Sequence, residues 1–263
     1  MAHIRVLGGS TWYPTAGNDG ASYIIGNHLM VDLGWDAPAR LLMAGEDLQQ
    51  YDTVLFTHMH ADHMLGLPQL IMDWRVKSTL RGGSAGGSLA GLTVAGPCET
   101  LRENYNRANA FALEGAVDKG VDAPARLIEL KPYDCFETEE LIIRAMPSKH
   151  AVPGRAYRIT DKASGRSVGI SGDTAWQAEY AGFFWEVDLL IYEAAFGTER
   201  ISRENNAVCR HSSVYEAARV ANDSHARALM LTHHELKDEA ACLALARTLT
   251  DVPLYWARTG LEL

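Results

Sequence analysis

No pair of cysteines in the sequence has the CxxC spacing. The four cysteines lie far apart, at Cys98, Cys135, Cys209 and Cys242. This distribution excludes a zinc knuckle and a thioredoxin-type redox motif. It is typical of reduced, buried thiols in a cytosolic protein, although the sequence alone leaves a disulfide between two of them open.

Long apolar runs are absent as well. No stretch reaches the roughly 18 apolar residues that a membrane span requires. The chain passes from Met1 directly into a strand-like pattern, without the charged and apolar regions of a signal peptide. These features predict a cytoplasmic protein with no membrane partner.

The chain is poor in basic residues relative to acidic ones. It has 24 lysines and arginines against 33 aspartates and glutamates, which gives a formal net charge of -9. Dedicated nucleic-acid binders usually present a basic face. The acidic composition therefore allows a nucleic-acid partner but does not favour one. Bound divalent cations would offset part of the negative charge.

Short strand-like segments dominate both halves of the chain, and helical patterns lie between and after them. Helices are predicted at Asp36–Ala44, Asp62–Trp74, Cys98–Leu113, Ser212–Asn222 and Glu235–Leu249.

No composition shift marks a linker, so we expect one domain over residues 1–263. Its fold class should be layered α/β, with two sheets packed face to face and helices outside. The Gly/Ser-rich stretch at residues 81–91 is expected to be a surface loop at the rim of a site.

The most informative segment is His58-Met59-His60-Ala61-Asp62-His63, which directly follows the apolar run Thr53–Thr57. A lone histidine after a strand is ordinarily structural. Four imidazole and carboxylate groups within six residues would cost stability unless they were used. Because alternate residues of an extended segment point the same way, His58 and His60 can share one metal ion, while Asp62 and His63 face another.

Three later candidates also follow strand-like segments, namely His150, Asp173 and His233. In this order the set resembles the ligands of the metallo-β-lactamase superfamily, over essentially the whole chain. The resemblance implies an αβ/βα four-layer sandwich with a binuclear site at one edge. It implies that His58, His60 and His150 hold one metal and that Asp62, His63 and His233 hold the other, with Asp173 bridging them.

The resemblance implies two divalent metal ions, with zinc favoured and manganese and iron as alternatives. Two metals about 3.5–4 Å apart can share a hydroxide and lower its pKa towards neutrality. The hypothesis is that this bridging hydroxide attacks an ester, while Asp62 orients the water or takes its proton.

Two further segments narrow the expected subgroup. Tyr192-Glu193-Ala194 and His211-Ser212-Ser213 resemble the Glu-containing and His-Ser motifs of the RNase Z-like branch. That similarity implies that Glu193 orients His211, and that His211 acts as a general acid or contacts the phosphate. The alternative is a structural glutamate at a strand end and a histidine near a helix N-terminus. The branch also implies a homodimer.

The sequence differs from the RNase Z-like branch in the interval between His150 and Asp173. In RNase Z proteins that process transfer RNA, a long arm lies between the matching ligands, whereas here the interval holds a single turn around Thr160–Gly165. The sequence therefore favours a hydrolase of a small phosphodiester or similar ester. The alternatives are hydrolysis of a lactone, thioester or arylsulfate, an RNase Z-type endonuclease, and a non-catalytic metal-binding regulatory protein.

Overall fold

A computed structural model describes residues 3–82, 87–112, 124–202, 208, 210–234 and 238–263. Within these residues, fourteen strands form two seven-stranded sheets. The first sheet has the order β2-β1-β3-β4-β5-β6-β7. Its strands are β1 (Ile4–Ser10), β2 (Asp19–Gly20), β3 (Ser22–Ile25), β4 (Leu29–Val31), β5 (Thr53–Leu55), β6 (Thr93–Pro97) and β7 (Arg126–Leu130).

The second sheet has the order β14-β13-β12-β11-β10-β9-β8. It consists of β8 (Cys135–Glu137), β9 (Leu141–Pro147), β10 (Arg155–Asp161), β11 (Ser167–Ile170), β12 (Leu189–Glu193), β13 (Leu229–Thr232) and β14 (Leu254–Trp256). Three short strands, β2, β8 and β14, were not predicted from the sequence, because two or three residues carry little periodicity.

Helices cover the outer faces of both sheets. The described helices are α1 (Ala37–Met43), α2 (Ala61–Met64), α3 (Leu67–Leu80), α4 (Leu101–Ala112), α5 (Tyr180–Phe183), α6 (Val214–Asp223) and α7 (Glu239–Leu249), with a 3₁₀ turn at Leu48–Gln50. The predicted starts at Cys98 and Ser212 fall two or three residues early, and Leu113 and Glu235 lie outside the described residues. Ser213 is the N-cap of α6 and forms a capping box with Glu216.

Three apolar layers hold the structure together. The middle layer contains side chains from both sheets, such as Val31 and Leu55 from the first and Ile143 and Ile170 from the second. Outer layers pack α1, α3 and α4 on the first sheet, and α5, α6 and α7 on the second. The order is therefore helix, sheet, sheet, helix, and the predicted four-layer sandwich is confirmed. No helix among the described residues is long and apolar enough to cross a membrane.

The predicted helix Asp62–Trp74 is interrupted at Gly66. The structure forms the short α2 first and then starts α3, with Pro68 in its first turn. At Gly66 a Cβ atom would lie 2.8 Å from Pro38 Cδ and 2.9 Å from the carbonyl oxygen of Gly34. This close approach docks the turn onto the segment that follows β4. The sequence pattern could not show it, because the neighbouring segment is remote along the chain.

One expectation about the site's surroundings is wrong, namely that residues 81–91 lie at the rim of the site. The described part of the 81–91 loop lies near the amino ends of β5 and β6, since Leu92 and Thr93 continue directly into β6. The predicted metal ligands follow the carboxyl ends of the strands, at the opposite edge.

Candidate metal centre

Six strands point their carboxyl ends at one edge of the sandwich, where a polar residue follows or closes each of them. Parallel pairing aligns β4 with β5 and β11 with β12 and β13, while β9 runs in the same direction as β11. This arrangement gathers all nine residues singled out from the sequence: His58, His60, Asp62, His63, His150, Asp173, Glu193, His211 and His233.

The first group of donors consists of three histidines and one aspartate. His60 Nδ1 lies 3.1 Å from His58 Nε2 and 3.1 Å from His150 Nε2. Asp173 Oδ2 lies 3.6 Å from His58 Nε2 and 3.8 Å from His150 Nε2. Bonds from zinc to imidazole nitrogen are about 2.0–2.1 Å long, so nitrogens separated in this way can share one cation.

The second group of donors contains His63, His233 and Asp62, and it adjoins the same Asp173 carboxylate. His63 Nε2 lies 3.4 Å from Asp173 Oδ1 and 3.6 Å from Asp62 Oδ2. His233 Nε2 lies 3.3 Å from Asp173 Oδ2 and 3.4 Å from Asp62 Oδ2. The Asp173 carboxylate therefore lies within 4 Å of donor nitrogens from both groups.

The protonation states of the first group suit cation binding, whereas in the second group the carboxylates around His63 outweigh burial and hold its pKa well above the ordinary value. Burial lowers the pKa values of His58, His60 and His150, which favours the neutral imidazoles that ligate metals. His150 Nδ1 lies 3.3 Å from the Arg210 carbonyl, which fixes that nitrogen as the N–H donor and leaves the lone pair on Nε2. Burial opposes ionisation of Asp173, but the surrounding histidines hold its pKa well below the ordinary value.

Several buried side-chain nitrogen and oxygen atoms have no hydrogen-bond partner among the described residues. They include His63 Nε2 and Asp173 Oδ1, which face each other within the second group. Leaving such atoms unpaired costs about 1–3 kcal/mol each, so they normally indicate a ligand or a functional role. The donor set, its burial and its orphaned atoms together fit two divalent cations.

Asp32 is a residue of this site that the sequence analysis missed. It follows β4 and is buried, and its carboxylate accepts hydrogen bonds from the Thr57 backbone N–H and hydroxyl at 2.7 Å each. The same carboxylate accepts a hydrogen bond from His63 Nδ1 at 2.8 Å. This hydrogen bond orients the ring so that His63 Nε2 faces the second group. The only available signal was an aspartate at the end of an apolar strand, which is equally typical of a turn residue.

Replacing Asp32 with asparagine is expected to weaken metal binding about 10- to 100-fold, because a partner that orients a ligating histidine is lost. Metal titration of the purified protein measures this directly. Asp52→Asn, at the opposite end of neighbouring β5, is the control. Equal metal affinity in both variants would contradict the role assigned to Asp32.

Backbone conformation at this edge is unusual at several of the described positions. Asp32 has φ 56° and His233 has φ 53°, in the left-handed region that non-glycine residues rarely occupy. Gly172, just before Asp173, has φ 56°, and a Cβ there would lie 2.8 Å from Thr57 Cβ. Such strain is tolerated where the surrounding structure fixes it, and it commonly marks functional sites.

Gly172→Ala is therefore expected to destabilise the protein by about 2–4 kcal/mol, combining the left-handed penalty with overpacking against Thr57. Gly165→Ala is the matched control, since Gly165 also has positive φ (70°), but a Cβ added there would have nothing within 4 Å. Its cost should be about 1–2 kcal/mol. Denaturant unfolding of both variants checks the difference, and equal losses would contradict the close packing at Gly172.

Glu193 and His211 form a hydrogen-bonded pair beside the donor groups. Glu193 Oε1 lies 3.0 Å from His211 Nδ1 and accepts from the Thr174 N–H at 2.6 Å, while Oε2 accepts from the Ser212 N–H at 3.0 Å. Burial lowers the pKa of His211, but the neighbouring Glu193 outweighs it and raises the pKa to about 9. His211 Nδ1 also lies 4.0 Å from Asp173 Oδ2, so the pair adjoins both donor groups.

Two histidines outside the donor groups, His28 and His234, have structural surroundings. His234 stacks on Trp256 and bonds the Ala257 carbonyl at 2.9 Å. His28 lies at the opposite edge, 3.0 Å from Thr138 Oγ1. Among the described residues, Cys98 and Cys135 are free thiols and Cys242 is buried, while Cys209 lies outside the described residues.

Comparison with known proteins agrees with this fold and donor set. A family model described as the beta-lactamase superfamily domain matches residues 27–234. Ribonuclease Z of Nitrosopumilus maritimus is 25% identical, over 93% of this chain and 94% of that protein. Ribonuclease BN of Erwinia tasmaniensis is 24% identical, over 88% of each chain.

Solved structures share the whole architecture. The metallo-beta-lactamase fold protein YhfI from Bacillus subtilis superposes with a TM-score of 0.80 at 22% identity, over 99% of this chain and 98% of that one. The short form of human tRNase Z gives 0.71 at 20% identity, with 99% and 98% covered. The chain thus belongs to the metallo-β-lactamase superfamily, and it is similar over most of its length to relatives named Ribonuclease Z and Ribonuclease BN. It is a metal-dependent hydrolase of ester bonds, and the predicted family and enzyme class are confirmed.

Proposed function

We propose that this hydrolase is a binuclear phosphodiesterase that cleaves nucleotide phosphodiesters. The observation that carries the proposal is the Glu193–His211 pair, which lies beside seven convergent metal donors. Curated relatives named Ribonuclease Z and Ribonuclease BN support this choice of bond, since a ribonuclease cleaves phosphodiesters.

The donors would hold two cations in the grouping inferred from the sequence, and zinc suits a site so rich in imidazole. His58, His60 and His150 would hold one, and Asp62, His63 and His233 the other, with the Asp173 carboxylate reaching both. When bound, the cations would supply an activated water and neutralise charge on the phosphoryl oxygens.

The chain's own residues would then manage protons and orientation. Asp62, buried and 3.4 Å from His233 Nε2, would orient the attacking water through its carboxylate. His211 would be protonated on both ring nitrogens at neutral pH. Its Nδ1–H would donate a hydrogen bond to the Glu193 carboxylate, and its Nε2 would give its proton to the leaving oxygen. Glu193 is held by backbone N–H groups, so it would fix the orientation of the imidazole ring.

The short connection between β10 and β11 supports a small substrate. These antiparallel strands pair from Tyr157 with Ile170 to Thr160 with Ser167, and a turn that includes Gly165 joins them. No long arm extends between His150 and Asp173, an interval that the structure describes throughout. This favours a compact nucleotide diester over a substrate gripped by such an arm, while the ribonuclease relatives favour an RNA endonuclease as the second candidate.

A substrate panel tests the proposal. Zinc-loaded protein is assayed with bis-p-nitrophenyl phosphate, a lactone, a thioester and an arylsulfate, and then with unprocessed transfer RNA. We expect the phosphodiester to be hydrolysed at the highest kcat/KM among the small substrates. A preference for a non-phosphate ester would overturn the proposal, and efficient cleavage of transfer RNA would select the second candidate. The homodimer stays a prediction.

A further inference from the structure

Two large aromatic side chains are exposed directly after β1. Trp12 is 59% exposed and Tyr13 is 49% exposed. Their rings meet edge to face, with centroids 5.4 Å apart and an interplanar angle of 89°. Exposed apolar surface of this kind marks an interaction site more often than isolated exposed residues do.

The segment that carries these rings lies at the edge of the metal centre. It leaves β1 where Ser10 pairs with Gly20, and a Cβ at Gly20 would lie 2.5 Å from the Asp62 carbonyl oxygen. On its other side, the His234 N–H donates to the Gly9 carbonyl oxygen at 3.4 Å. The aromatic segment thus emerges between the chain segments that carry Asp62 and His233.

Local hydrogen bonds order this segment. The Ser10 hydroxyl donates to the Tyr13 carbonyl at 2.7 Å, and the Tyr13 N–H donates to Thr11 Oγ1 at 3.3 Å. Asn18 Oδ1 accepts from the Gly9 N–H at 3.0 Å, and Thr15 pairs with Asn18 to close the loop. A surface ordered before binding loses less conformational entropy when a ligand arrives.

We propose that Trp12 and Tyr13 form a stacking subsite for the nucleobase adjoining the scissile phosphate. This inference rests on the proposed phosphodiesterase function. Residues 11–18 contain no charged side chain, so the segment offers no partner for a phosphate or an acidic peptide. It offers flat aromatic surface beside a centre that would anchor the phosphate, and every base has a face that can stack on such a ring.

Binding of adenosine 5′-monophosphate and ribose 5-phosphate, measured by calorimetry on the zinc-loaded full chain, tests the subsite without turnover. The two ligands share the phosphate and differ in the base. Because stacking on an aromatic side chain is worth about 1–3 kcal/mol per base, we expect the nucleotide to bind about 5- to 150-fold more tightly. Trp12→Ala should abolish most of that preference, and Trp12→Phe should retain most of it.

Trp185→Ala is the matched control. Trp185 is 48% exposed but packs against the His225 ring, near the amino end of β12 at the opposite edge. This variant should keep the wild-type preference. Turnover of bis-p-nitrophenyl phosphate by the wild-type protein, measured in parallel, reports separately on the proposed function.

Three results would overturn the subsite: equal or absent binding of the two ligands by the wild-type protein, a base preference that survives in Trp12→Ala, or equal losses in Trp12→Ala and Trp185→Ala. If Trp12→Ala changed the molecular mass in solution while the base preference survived, the rings would instead face a second copy of the chain. With phosphodiester turnover intact, each of these results removes the subsite and leaves the phosphodiesterase proposal standing.

Discussion

Replacing Asp173 with alanine is expected to reduce phosphodiester turnover by about a thousandfold or more. Its carboxylate lies within 4 Å of donor nitrogens from both groups, including His58, His63 and His233. Without it, the remaining donors would have to hold two cations with little negative charge to compensate. Losing several kcal/mol of charge stabilisation corresponds to a rate loss of that size, at about 1.4 kcal/mol per tenfold.

The metal content and kcat of the purified variant measure this effect. We expect fewer than two equivalents of metal to be retained. Asp188→Ala is the control, because Asp188 lies just before β12, near the amino ends of the strands, and its carboxylate accepts from the Ser167 N–H. Two bound equivalents and undiminished turnover in Asp173→Ala would contradict the bridging role.

The second large effect is expected for His211→Ala, with a fall in kcat of about 10²- to 10⁴-fold at unchanged metal content. A positioned general acid contributes rate enhancement on this scale. Leaving-group dependence is the diagnostic measurement. A p-nitrophenolate needs little protonation on departure, whereas an alkoxide needs much, so the loss should be far greater for an alkyl phosphodiester than for its p-nitrophenyl counterpart.

Glu193→Gln should show the same leaving-group dependence in weaker form. The amide would remove the negative charge beside His211 and would meet the Thr174 and Ser212 N–H donors poorly. His225→Ala is the control, since His225 packs on Trp185 away from the metal centre. Equal losses for both leaving groups would exclude proton donation by His211 and would leave it as a phosphate contact.

Much of this centre could be predicted from the sequence because its residues are dense or follow strands. His58 to His63 concentrate four donors in six residues, which only a metal site readily explains. His150, Asp173 and His233 are individually ordinary, and they became informative through their order and their position after apolar strands. Their roles as ligands remain predictions, although the structure places them within reach of one another.

What could not be predicted depends on contacts between remote segments. Asp32 lies 25 positions before Thr57, and its function appears only when parallel pairing sets β4 beside β5. The break in the helix at Gly66 likewise depends on Pro38. The burial of Trp74 could not be predicted either, because the sequence shows residue type and spacing but not which face of α3 meets the core.

The central claim is that two cations in one donor set perform phosphodiester hydrolysis. Its most direct test measures metal content and bis-p-nitrophenyl phosphate turnover on the same sample, before chelation, after chelation and during stepwise return of zinc. We predict that turnover vanishes with the metal and returns as the protein regains two equivalents per chain. Full turnover by metal-free protein, or two bound equivalents with no hydrolysis of any phosphodiester, would contradict the claim.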